Sequence, residues 1–256
     1  MTRGVLVTGV ALSVTIGVAV AVPSAQSPSG RTVAATKSVW DGVFSQVQAA
    51  RGRQAYEQKC ATCHRSDLRG ANGRALVGPR FWQDWGEDSL NSLYTAIRTT
   101  MPRGEAGSLA DDTYADIVAY VLQANEYPAG EADLTPASAV TVRVIGKDGP
   151  GPVPNFALVT VVGCLAAQAD GTWTLTHATE PTRTRNPDPS KNEEREQSAS
   201  FPPGTLTFGL MDVYSAGDGH DGHRMEVKGL LIRGTRGAPD RVNTTGIQML
   251  APQCTP

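Results

Sequence analysis

The chain has 256 residues, a 40% apolar share and a formal net charge of −2. That length admits one large or two small domains, and charges that nearly cancel argue against nucleic acid or anionic lipid as the main partner. Few aromatic residues (6%) beside 27 Gly and 17 Pro predict long loops.

The N-terminus reads as an export signal over residues 1–25. Arg3 supplies the positive start, an apolar stretch runs from Gly4 to Val22, and small residues offer cleavage after Ala21 or after Ala25. The expected location is the periplasm or another exported compartment. If uncleaved, the segment is long enough to be a membrane anchor. A polar spacer covers 26–39. In an oxidising compartment the four Cys need an explanation as pairs, Cys60 with Cys63 and Cys164 with Cys254.

Helical patterning follows from Trp40 to Gln58, with Val43, Val47, Ala50 and Ala55 on related turns. A Gly- and Arg-rich segment runs from Arg65 to Pro79, and a second helix is expected over Ser89–Thr99. A third spans Asp112–Asn125, where Tyr114, Ile117, Val118, Val121 and Leu122 form an apolar stripe and Pro128 and Gly130 stop the pattern. Beyond 139 the pattern turns strand-like: Thr141–Ile145, Ala157–Leu165, Thr172–Ala178, Thr205–Tyr214, Arg224–Ile232 and Val242–Leu250. The polar stretch 180–203 reads as a mobile loop. The fold class expected is α + β in two domains: an all-α part over 40–134 and a β-rich part over 139–256.

Cys60-Ala61-Thr62-Cys63-His64 carries the chemistry. Two thiols at this spacing can add to the two vinyl groups of one haem, and the next residue turns its imidazole to the iron. A redox dithiol or half of a zinc site also uses Cys-x-x-Cys. Neither explains the adjacent His, and the motif follows a helix rather than sitting in a βαβ unit. A second axial ligand is needed, and Met101 is the remaining soft donor of this part, in Thr100-Met101-Pro102. The alternative is an ordinary buried Met.

Residues 40–130 resemble a class I, mitochondrial-type cytochrome c, most of all those that accompany bacterial quinoprotein dehydrogenases. Gly52-x-x-x-Tyr56 and Ala119-Tyr120 match the residues that meet where the family's terminal helices cross. The resemblance implies that Gly78-Pro79 supplies the Pro79 carbonyl that accepts the His64 Nδ1 proton. It also implies that Leu76, Phe81 and Trp85 line the haem pocket, with Trp85 a donor to a propionate, although plain packing suits Trp85 nearly as well. Ala110 departs from the family, whose last helix often begins with a Ser cap; Ser108 or Asp111 could substitute.

The β-rich part suggests a small OB-like barrel, with a sandwich as runner-up. Its Cys164 and Cys254 are expected to pair. Asp218-Gly219-His220-Asp221-Gly222-His223 has the composition of a tight solvated turn, because its Gly residues break any helix that would align two metal-binding rings. The expected function is single-electron transfer with one covalent haem c and its iron. The resemblance implies a dehydrogenase as donor and an oxidase or another cytochrome as acceptor. The alternatives are a haem enzyme or gas sensor with a displaceable Met, or an electron-transfer subunit docked to a larger oxidoreductase through its β-rich part.

Overall fold

A computed structural model describes residues 37–213, 217–235 and 237–254, with Met1, Thr2 and Gly4. The expected export signal, with its Arg3 and its cleavage positions, and the spacer up to residue 36 lie outside the described residues.

The first helix, α1 (Gln46–Lys59), starts later than the sequence pattern suggests because Ser45 caps it, its Oγ accepting from Gln48 N at 3.0 Å. Its buried face is Gln48, Ala49, Gly52 and Tyr56, not the expected valine stripe, and Val47 is 69% exposed. The inward Gln48 is satisfied by both polar groups of Leu134: its Nε2 donates to the carbonyl and its Oε1 accepts from the amide, each at 2.7 Å. A polar side chain matched in this way can be buried at little cost.

Next come α2 (Ala61–His64), α3 (Pro79–Trp85), α4 (Leu90–Thr100) and α5 (Asp111–Ala124). Helix α5 keeps the expected apolar stripe and buries Ala115, Ala119 and Tyr120 as well. It crosses α1 at Gly52, where a Cβ would lie 1.8 Å from the Asp116 carbonyl oxygen. Tyr56 and Tyr120 pack beside the crossing with ring centroids 5.3 Å apart. No side chain caps α5. Asp111 instead pairs with Arg98 of α4 at 2.6 Å, so neither Ser108 nor Asp111 replaces the missing Ser.

Short strands β1 (Lys37–Ser38) and β2 (Asp88–Ser89) flank β3 (Val142–Val144), parallel and antiparallel respectively. Strand β3 was expected to open the β-rich part. Its Val142 and Val144 belong instead to the helical core, which runs from Val39 to Val144, while Arg143 between them turns outward to the Glu87 carbonyl at 3.0 Å. The one-turn helix α6 (Pro136–Ala139) precedes it.

A second core runs from Val153 to Val242. It is enclosed by β4 (Leu158–Ala167), β5 (Trp173–Ala178), β7 (Leu206–Met211), β8 (Arg224–Ile232) and β9 (Arg241–Ala251), with β6 (Thr182–Arg183) added alongside β4. The pairings run β4–β5–β7–β9–β8 and return to β4; the β7–β9 pair is parallel and the others antiparallel. Cys164 and Cys254 form a disulfide spanning 90 residues, with Cα atoms 5.4 Å apart. Replacing both with Ala should lower unfolding stability by about 4.6 kcal/mol in the chain-entropy account. Denaturant midpoints that do not move would refute that contribution.

The stretch 180–203 holds β6 and a helix, α7 (Asn192–Ser200). Polar contacts order it, which is why no apolar period announces it. The buried Lys228 ammonium meets Glu194 at 2.8 Å. Glu226 accepts from Ser190 N at 3.0 Å and from Gln248 Nε2 at 2.8 Å. Burial raises the Glu226 carboxyl, but hydrogen bonds from Ser198, Ser190 and Gln248 outweigh that and hold it below its ordinary range.

Two arginines from the β6 region grip the helical part. Arg183 donates to the carbonyls of Asp84 (2.9 Å) and Gln83 (2.6 Å) at the end of α3. Arg185 donates to the Asp84 carbonyl and to the Asp88 carboxylate, each at 2.8 Å. Burial, and then the neighbouring Arg185 charge, push the Arg183 guanidinium down to about 10, so it stays charged at neutral pH.

Candidate haem site

The end of α1 delivers Cys60, and α2 carries Cys63 and His64 one turn later. Both thiols are free, Cys60 half-buried and Cys63 exposed. Burial, and next the neighbouring Cys63, push the Cys60 thiol up to about 11.

The loop after His64 folds back over it. The amides of Ala71 and Gly73 both donate to the Cys63 carbonyl, at 3.1 and 2.9 Å, and Gly70 N donates to the His64 carbonyl at 3.0 Å. This brings the Arg74 carbonyl to 2.7 Å from His64 Nδ1. A carbonyl only accepts, so Nδ1 carries the proton and Nε2 keeps its lone pair for a metal. The Pro79 carbonyl was expected in that role. Pro79 instead opens α3, while Gly78 N is drawn to Asn125 Oδ1 at 3.0 Å. Gly73 lies so close to the imidazole that a Cβ would sit 2.6 Å from its Cε1.

Leu76 and Trp85 pack half-buried against the helical core, and Phe81 lies inside it. Asn125 Nδ2 donates to the Leu76 carbonyl at 2.9 Å, tying this segment to the end of α5. The Arg185 guanidinium lies over the Trp85 ring, 4.4 Å from its centroid. Met101 ends α4, partly exposed, and its carbonyl accepts from Tyr114 Oη at 2.9 Å. Sequence reasoning missed Asn125, Arg183 and Arg185. The Thr182-Arg183-Thr184-Arg185 alternation was the available signal for the last two.

The donor set fits a haem: two free thiols at vinyl spacing and one imidazole oriented through Nδ1. Residues 47–121 match the family described as cytochrome c oxidase, cbb3-type, subunit III. This match to a c-type cytochrome family covers under a third of the chain. Thiosulfate dehydrogenase from Stutzerimonas stutzeri (strain A1501) is 34% identical to the chain over 79 residues, 28% of this chain and 26% of that protein. Cytochrome c-551 from Bacillus subtilis (strain 168) is 32% identical over 80 residues, 30% of this chain and 64% of that protein. The chain thus spans about a quarter of the first relative and just under two thirds of the second. No solved structure matches the chain. Among the described residues no helix is long and apolar enough to cross a membrane.

Proposed function

We propose that this chain is an exported single-electron carrier with one haem c, attached through Cys60 and Cys63 and ligated by His64 and Met101. The observation that carries the reading is the His64 imidazole, fixed by the Arg74 carbonyl so that Nε2 is free, directly beside two free thiols. When bound, the haem supplies a one-electron iron couple. His64 is held in one tautomer, which raises its basicity as a ligand. Leu76 and Phe81 would exclude water from the haem, and Trp85 would offer its indole N–H to a propionate. Tyr114 Oη anchors the Met101 carbonyl, and so would fix the chain that carries the thioether ligand.

The ring order of the β strands and its single parallel pair support an OB-like barrel for the C-terminal part. A dehydrogenase donor and an oxidase or cytochrome acceptor are the proposed partners. The thiosulfate dehydrogenase relative favours a second reading, in which the domain serves within or beside an oxidoreductase and an open or displaceable Met101 position takes part in turnover.

Met101→Ala separates the two. In the carrier reading, the native protein resists CO, and the variant binds CO readily, loses the far-red charge-transfer band of a ferric Met–iron bond, and has a lower reduction potential. A native protein that binds CO as fast as the variant, or a variant with an unchanged spectrum, would exclude Met101 as a firm ligand.

A further inference from the structure

We propose that His220 and His223 form a chelating site for a borderline divalent metal ion of the copper–zinc kind, separate from the haem. Their Nδ1 atoms are 3.0 Å apart, their ring centroids 5.1 Å apart, and their planes inclined by 70°. A metal–imidazole bond is about 2.0–2.1 Å long, so two such bonds at tetrahedral or square angles set the nitrogens roughly 2.9–3.4 Å apart and the ring centroids roughly 4.5–5.2 Å apart. Both observed separations fall within those ranges. Imidazole suits zinc, copper and nickel, and the ion would take the place of the proton that the two nitrogens must otherwise share.

The site is built before an ion arrives. Gly219 and Gly222 adopt φ of +76° and +78°, a conformation open to glycine at no steric cost, and so fold a turn that does what a helix would otherwise do. His223 N donates to the His220 carbonyl at 3.0 Å, and the amides of Gly222 and Leu165 exchange bonds with β4 and His223 at 2.9 and 3.0 Å. Cys254 N donates to the Gly222 carbonyl at 3.1 Å, next to the disulfide, and Asp221 Oδ1 accepts from Ala167 N at 2.9 Å. Little side-chain or loop freedom is left to lose on binding. Among the described residues no third His, Cys, Asp or Glu joins the pair. Solvent therefore completes the coordination, which leaves the site exchangeable.

The test titrates the haem-loaded, ferric full-length protein with Cu(II) in a non-coordinating sulfonate buffer, followed by electron paramagnetic resonance and calorimetry. The expected result is one saturable equivalent with hyperfine structure from two nitrogens. Affinity should fall about tenfold or more in His220→Ala and in His223→Ala, with no change in His177→Ala and no change in the haem spectrum. Absence of saturable binding, or binding unaltered in both variants, means a shared proton only and overturns the proposal; loss in only one variant overturns the chelate. The wild-type spectrum decides even where a variant fails to fold, because a pattern from one nitrogen or from oxygen alone is incompatible with the site.

Discussion

Replacing Cys60 and Cys63 together with Ala should yield a chain from which acid–organic extraction removes all haem, and whose helical core is largely unfolded. The thiols lie at the junction of α1 and α2, and the adjoining loop is folded over Cys63 and His64 through backbone bonds and the Arg74 carbonyl on His64 Nδ1. Its long run of small and charged residues, Arg65 to Arg74, buries little besides Leu68. The proposed haem would supply this small helical part with a large share of its apolar contacts. The wild type should carry one haem by mass after the same extraction. Haem retained by the double variant, or a wild type that holds zinc and no haem, would contradict the attachment.

Gly52→Ala should destabilise the protein by about 3 kcal/mol, within the upper range for forced overpacking. The sign is the informative part. In an exposed helix interior, Gly to Ala stabilises by about 1 kcal/mol. At Gly52 the added Cβ would fall 1.8 Å from the Asp116 carbonyl oxygen and 2.4 Å from its carbon, and backbone atoms cannot rotate aside as a side chain can. The helices must part, which loosens the Tyr56–Tyr120 contact and strains the Arg51–Asp116 pair across the same crossing. Denaturant unfolding of the haem-loaded protein measures it. A neutral or stabilising result would mean that α1 and α5 do not approach this closely.

What the sequence made legible was whatever repeats or stands in a fixed spacing. The stripe of α5 could be read because every buried position is apolar, and the strands β4, β5, β7, β8 and β9 because branched side chains alternate between punctuating Gly and Asp. The face of α1 could not, because one of its buried positions is a glutamine matched to a distant backbone, a pairing no periodicity records. The stretch holding α7 was misread for the same reason: Glu194, Lys228 and Glu226 attract through charge and hydrogen bonds between residues far apart in the chain. Cys60, Cys63 and His64 stood out by spacing alone. The carbonyl that orients His64 depends on how a glycine-rich loop folds back, and there the family pattern pointed to Pro79 while the chain uses Arg74. The aspartate–glycine run around His220 looked too broken to align two rings, and the turn formed by those glycines is what brings them together.

Arg183 and Arg185 hold the last carbonyls of α3, the end where a helix carries its partial negative charge. Arg185 also covers the Trp85 ring and reaches the Asp88 carboxylate. These contacts fasten the strand ring to the helical core at α3. In the proposed carrier role, a redox partner would therefore meet the two cores together, and a longer linker between them would not widen the capture radius unless both guanidinium anchors were first released.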